Sequence, residues 1–240
     1  MNIPFFLYRR LSRLITCEFK TSKKTKISLK NKFEVASFND VFCHPFYWQV
    51  FQYLKSSPKL IVDCGAHCGH FSTLTDICID SKFEKNNARY LLIEPNPHLI
   101  PILYKTIREG GLESKAQILQ GLLGQQDGSD TLWIAPKNYL ATGLTKNNGS
   151  KGYKIDYLNL NSLLENQMID LMKIDIEGGE FSFVEHNTEL FKRTNLVFME
   201  LHKSPEVKRT GLINQLSSAG LNMAEEPVKC HGQELVIFKR

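Results

Sequence analysis

A chain of 240 residues has room for one sizeable hydrophobic core, or one core and a short appendage, and 42% apolar content is that of a globular protein. The net charge of +5 is unevenly placed: residues 1–32 carry nine Lys or Arg and one acid, which leaves 21 basic and 24 acidic residues in the other 208. A mildly acidic body excludes a broad nucleic-acid face, and no apolar run approaches the roughly 20 residues that span a bilayer.

Residues 1–16 fit a helix with Leu7, Leu11, Leu14 and Ile15 on one face and Arg9, Arg10 and Arg13 beside them. Such a helix either packs on the domain or makes weak contact with an anionic membrane surface. The basic run 20–26 reads as a linker or exposed turn, so the chain divides into a basic extension, 1–32, and a domain, 33–240. Six cysteines accompany an opening stretch whose charges follow its brief apolar part, unlike a secretory signal. Reduced thiols and a cytoplasmic location are expected. The aromatic stretch His44–Leu54 has near-helical spacing and reads as core packing.

From residue 59 an α/β rhythm begins. Leu60–Cys64, Tyr90–Ile93, Gln117–Leu123, Ile169–Ile174 and Leu196–Leu201 are short apolar runs without alternation, as suits parallel strands buried on both faces. Helices are expected at 70–80, 97–109, 178–191 and 205–219, with Pro97 and Pro205 in first turns. Residues 124–160 break the rhythm and read as inserted strands and turns. The last twenty residues read as two strands around a turn, an antiparallel edge. No internal repeat or second domain is visible.

In an open α/β sheet, ligands collect beyond the carboxyl ends of the strands. The run LIVDCGAHCGHFST, residues 60–73, is a strand ending at an acid, Asp63, then a turn through Gly65 and Gly69, then a helix start. A carboxylate is a poor neighbour for a dinucleotide's pyrophosphate. A ligand with a sulfonium and an ammonium group, such as S-adenosylmethionine, tolerates it. Glu94 follows one strand–helix–strand unit later and is placed to accept hydrogen bonds from a ribose, a device that NAD enzymes share. Asp175 and Glu177 bracket the exit of the fourth strand; Glu200 and His202 end the fifth. Lone buried carboxylates are costly, so four acid-bearing strand ends point to a site. Asp175 and Glu177 suit a cation, an acceptor group or a general base, and His202 is a base by its intrinsic pKa. Lys173, odd in so apolar a strand, is expected to pair with an acid. Cys64, His67, Cys68 and His70 have the composition of a zinc site, but a strand end, a turn and a helix start spread their side chains apart. No metal is expected, with magnesium on Asp175, Glu177 and a further carboxylate as the alternative.

Together VDCGAHCGHFS, LLIEPNP, DLMKIDIEGGE and VFMELH, in this order over about residues 59–203, resemble the FkbM-like branch of the class I S-adenosylmethionine-dependent methyltransferases. The resemblance implies a single Rossmann-like α/β domain with a mostly parallel sheet and an antiparallel C-terminal edge strand. It implies that Asp63, Gly65, His67, Gly69 and Ser72 hold the methionyl part of S-adenosyl-L-methionine, with Glu94 on its ribose. Asp175, Glu177, Glu200 and His202 would face the transferred methyl and the acceptor, His202 or Asp175 being the general base. His67 stands where the family usually has asparagine. The implied reaction is O-methylation of a hydroxyl on a sugar, secondary metabolite or glycan, and the first 58 residues carry no transferable motif. The alternatives are a non-catalytic, membrane-associated nucleoside-binding module and an NAD-dependent dehydrogenase.

Overall fold

The computed structural model describes residues 17–20, 25–125, 127–135, 138–146, 148–230 and 232–240. The helix expected over residues 1–16 lies outside these. The described chain starts with two antiparallel strands, β1 (Cys17–Lys20) and β2 (Lys26–Leu29), on either side of the expected linker or turn, most of which lies outside the described residues. The second strand is anchored, with Ile27 and Leu29 buried against Val35. Glu109 accepts the Ser28 N–H at 3.1 Å, and Lys105 donates to the Ser28 carbonyl at 2.8 Å and pairs with buried Glu34.

Two helices follow, α1 (Lys32–Cys43) and α2 (Pro45–Gln49), with a 3-10 turn at Val50–Tyr53. Asn31 caps α1 by accepting from the amides of Phe33 and Glu34. The aromatic segment packs as expected, with Phe46, Tyr47, Val50, Phe51 and Leu54 all buried.

The main sheet takes β3 (Leu60–Cys64), β4 (Arg89–Ile93), β5 (Ala116–Leu119), β9 (Leu171–Ile174) and β10 (Leu196–Leu201) as parallel strands. Three strands at the end of the chain, β11 (Asn222–Met223), β12 (Val228–Cys230) and β13 (Gln233–Lys239), complete it. The order is β11-β13-β10-β9-β3-β4-β5, with β12 also on β13. The antiparallel edge is thus broader than a hairpin: β13 lies along all of β10 and is itself flanked by β11 and β12. The sheet is buried on both sides, which explains the missing alternation. On β3, Leu60, Val62 and Cys64 join one core, while Ile61 joins the aromatic core on the other face.

The helices match the expected positions with local corrections. Helix α3 (His70–Lys82) follows the glycine turn. Helix α4 (Ile100–Glu109) begins later than expected, with Pro101 in its first turn. Pro97 sits in the preceding turn, where Asn96 accepts from the His98 amide at 3.0 Å. Helix α5 (Leu160–Leu164) precedes β9. The helix expected over 178–191 is two, α6 (Glu180–His186) and α7 (Thr188–Lys192). They part at Asn187, whose buried side-chain amide donates to the carbonyls of Gly124 and Phe183. Helix α8 (Glu206–Ser218) starts directly after Pro205. The insertion forms its own three-stranded antiparallel sheet of β6 (Ser129–Ala135), β7 (Asn138–Gly143) and β8 (Lys151–Asp156). No helix among the described residues is long and apolar enough to cross a membrane.

This order makes β3 the switch strand: β4 lies on one side of it and β9 on the other. The crevice of an open α/β sheet forms at such a point, beyond the carboxyl ends of the strands.

Candidate active site

A cavity of about 1040 Å³ opens at that switch point. Its walls come from α1 and α2, the glycine turn, the ends of β4, β9 and β10, residues 121–124, and the inserted sheet.

The turn requires its glycines. Gly65 has φ +76°, and a Cβ there would overlap the carbonyl of Asp175. Gly69 has φ +82° and would press a Cβ to 2.7 Å from Leu103. Asp63 does not reach the cavity wall. Fully buried, it accepts from the Ser72 hydroxyl at 2.7 Å and lies 3.7 Å from the Lys173 ammonium. Lys173, opposite Asp63 in the β3–β9 register, donates to the Gly65 carbonyl at 2.6 Å and pairs with Asp175 at 3.2 Å. Burial works against its charge, but Asp175, Asp63 and Glu200 outweigh burial and hold the ammonium protonated. Asp63 and Ser72 thus brace the turn from behind, with Gly69 likewise off the cavity wall, whereas Gly65 and His67 line it.

Glu94, 5% exposed, reaches the cavity from the end of β4. Its two oxygens accept from the amides of His67 and Asn96 at 2.8 and 2.9 Å. Burial raises its pKa to about 7 against those two donors. The carboxylate is fixed in one orientation, and each oxygen keeps a second lone pair.

The other end of the cavity collects the remaining acids. Asp175 and Glu177 line it beyond β9, with Glu177 in the left-handed region at φ +53°. Glu200, near the end of β10, accepts a hydrogen bond from the Tyr47 hydroxyl on α2. Burial and then Asp175 raise the Glu200 pKa to about 7. His202 stands just behind this wall. Its Nδ1 donates to Glu180 at 2.9 Å, and its Nε2 faces Glu177 at 3.3 Å and the Gln233 amide at 2.7 Å. Burial opposes its charge, but the bonds to Glu177 and Glu180 prevail and lift its pKa to about 10. Those two carboxylates favour the charged imidazolium over the neutral ring that the expected base would need.

Glu180 was not anticipated. Its buried carboxylate also accepts from the amides of Ile176 and Gly178 at 3.2 and 3.1 Å. It thereby ties the Asp175–Glu177 turn to the histidine at the neighbouring strand end. Its only signal in the sequence was a second glutamate three residues after Glu177, a spacing that a helix start alone explains. Tyr47 was read as core and is core, yet its hydroxyl serves the cavity.

Cys64, His67, Cys68 and His70 do not converge. Cys64 and Cys68 are buried, and His70 engages the Ser37 hydroxyl at 2.9 Å. The five cysteines with described side chains are all free thiols. Among the described residues, Asp175, Glu177 and His202 have ligand atoms within 4.8 Å of one another. Histidine, rather than the third carboxylate that was expected, completes that trio. The Lys173 ammonium and the His202 imidazolium already balance its charge.

No curated protein has a sequence that matches this chain. Among solved structures, methyltransferase FkbM from Methylobacillus flagellatus KT is similar with a TM-score of 0.54 at 16% identity, covering 100% of this chain and 59% of that one. The chain therefore spans less than two thirds of that protein, and the likeness speaks for the fold alone. An O-methyltransferase family protein from Burkholderia thailandensis has a TM-score of 0.49 at 9% identity, with 87% and 56% covered. Precorrin-6y C5,15-methyltransferase from Geobacter metallireducens GS-15 has 0.48 at 11% identity, with 93% and 95% covered. The sequence family described as the methyltransferase FkbM domain matches residues 63–221, a stretch that holds every acid-bearing strand end of the cavity. The chain, matched over more than half its length, belongs to the FkbM methyltransferase domain family.

Proposed function

We propose that the protein transfers a methyl group from S-adenosylmethionine to a hydroxyl of a sugar, another secondary metabolite or a glycan. Family membership favours methyl transfer over hydride transfer. The observation that carries the cofactor reading is Glu94: a buried carboxylate, fixed by two backbone amides, facing the cavity beside the glycine turn. That is the arrangement that accepts two ribose hydroxyls. Gly65 and His67 line the wall next to it, where the methionyl part would lie.

The bound cofactor would supply a sulfonium methyl that is already activated for displacement. The protein's part is alignment and proton removal. Alignment alone is worth about 7–11 kcal/mol where a near-attack geometry is held. Asp175, kept in place by Lys173, and Glu177 orient the acceptor hydroxyl. The proton goes to Glu200. Its pKa of about 7 suits a base at neutral pH, whereas the two carboxylates around His202 keep that ring protonated. His202 then acts as a fixed cation that holds Glu177 and Glu180 in place. Glu200 would hold the acceptor's proton once oxygen took the methyl from sulfur, the displaced sulfur being left as a neutral thioether.

Calorimetry with S-adenosylmethionine and with NAD tests the cofactor. Binding of the first and not the second is expected; tight NAD binding alone would sink the reading. Labelled S-adenosylmethionine offered with sugars, lipids, peptides and hydroxylated metabolites tests the acceptor, with label expected on a neutral hydroxyl compound.

A further inference from the structure

We propose that the imidazole of His67 recognises the free α-carboxylate of the cofactor's methionyl group, so that this chain selects an amino-acid-bearing nucleoside over one that lacks the carboxylate. The inference rests on the cofactor reading above and deepens it.

His67 is held where it is. Its φ of +49° is left-handed, a conformation that costs a non-glycine residue of order 1–3 kcal/mol and persists only where surroundings dictate it. Its amide is bound to Glu94, and Gly65 and Gly69 flank it in the same turn. That bond fixes the backbone from which the ring projects. It lines the cavity, and its Nδ1 is buried without a partner. An unpaired buried N–H is rarer and costlier than an unpaired lone pair, so the neutral ring keeps its proton on Nε2, and the ring brings to the cavity a donor with no partner among the described residues.

The charges around the ring show what that donor is for. The cofactor's amino-acid end carries one cation and one anion. The ammonium has acids to meet: Asp175 and Glu94 both face this part of the cavity. The carboxylate has few donors. Among the described residues Lys173 is the one Lys or Arg on the wall, and it is engaged by Asp63, Asp175 and the Gly65 carbonyl. The α1 wall presents Ser37 and Asn39, neutral side chains, with Asp40, and His70 is already bonded to Ser37. Within the glycine turn, His67 is the side chain placed to donate to an anion.

Burial holds the ring neutral in the free protein, with its pKa lowered to about 4; Asp175 opposes this shift and Lys173 adds to it. An anion placed on Nε2 raises that value. Binding then draws in a proton, and affinity strengthens as pH falls toward the free-state value. Glu94 and Glu200 also titrate near 7, so only the part of the proton uptake that disappears with His67 counts.

The test is titration calorimetry of the full chain with S-adenosylmethionine and with decarboxylated S-adenosylmethionine, which differ only in the carboxylate, at several pH values and in buffers of different ionisation enthalpy. The intact protein is expected to prefer the carboxylate-bearing ligand by about tenfold or more, the size of one charge-assisted hydrogen bond. His67→Ala should erase that preference by weakening only the carboxylate-bearing ligand. His67→Asn, which tolerates the left-handed turn, should keep part of the preference while losing the proton uptake. The fold of each variant is checked by its thermal midpoint. Equal weakening of both ligands in His67→Ala, or an unchanged preference, overturns the carboxylate assignment and leaves the cofactor reading standing. Failure of the intact protein to bind either ligand overturns both.

Discussion

The two ends of the cavity are built on different principles. At the glycine turn, the polar groups are spent on one another: Ser72 on Asp63, the His67 amide on Glu94, and Lys173, from a distant strand, on the Gly65 carbonyl. At the β9–β10 end, Tyr47 comes from α2, Glu180 from α6, and Glu200 and His202 from the end of β10, tied by charge as much as by hydrogen bonds. The first end is a socket whose acids are mostly engaged before any ligand arrives, with one Asp63 oxygen left without a hydrogen bond. The second is an electrostatic device whose acids compete for two cations, leaving Glu200 free to titrate near neutrality. Recognition asks for the first kind of construction and proton transfer for the second.

The contrast is broken most severely at Lys173, the one residue that serves both ends. Lys173→Met leaves Asp63 buried without its cation and should cost about 3–5 kcal/mol, lowering the thermal midpoint by roughly 6–20 °C in a chain of this size. Adding Asp63→Asn should recover part of that loss, since the stranded charge goes with it. Calorimetric scans of the single and double variants decide; a midpoint unmoved in the single variant would mean that the two ends are not joined through Lys173.

The proton-transfer end is tested by Glu200→Gln. Turnover should fall by about 10²–10⁴-fold with cofactor affinity unchanged, because Glu200 belongs to the far end. In the intact enzyme kcat should rise with pH through about 7 as Glu200 loses its proton. The Tyr47 hydrogen bond lowers that pKa, so Tyr47→Phe should move the rise to higher pH. A profile that follows His202→Asn instead would return the base to the histidine.

His202 also marks the far end in stability. Its folded pKa of about 10 lies above the ordinary 6.5. Its contribution is complete below pH 6.5 and fades as pH rises toward 10. Glu94 and Glu200, raised from 4.5 to about 7, lose theirs in a lower window. Buried Cys64, raised from 9.0, acts only above that value. Between pH 7 and 9 the urea midpoint should therefore decline in the intact protein and stay flatter in His202→Asn.

What the sequence revealed follows the same division. The five parallel strands, the glycine turn and Glu94 were legible because each is local: a strand, a turn and an acid within a few residues. Even there, the surroundings of Asp63 were not legible. Its partner Lys173 lies 110 positions away, and only the β3–β9 register shows that the two neutralise each other. The far end was legible as a set of acids and illegible as a circuit. Nothing near Tyr47 signals a carboxylate on β10, and the strand pairing that brings Gln233 to His202 runs between segments with no shared pattern. The pKa of His202 is a property of two glutamates in an adjoining turn, so no reading of VFMELH alone could have reversed its expected role.

The smallest effect is the most discriminating at the glycine turn. Ser72 either helps to hold the cofactor, as the family pattern implies, or braces Asp63 from behind, as its 2.7 Å bond to the buried carboxylate indicates. Ser72→Ala removes one hydrogen bond to a buried charged group. That should cost about 1.5–3 kcal/mol at most, a few degrees of thermal midpoint, while Lys173 remains to hold Asp63. If the socket is satisfied internally, S-adenosylhomocysteine should bind Ser72→Ala as tightly as the intact protein, because the lost bond never faced the cavity. A large loss of affinity at little cost in stability would instead put Ser72 and Asp63 on the ligand. The turn would then have to rearrange on binding rather than stand ready for it, and the contrast between a preformed socket and a charge-coupled far end would fail at its better-defined half.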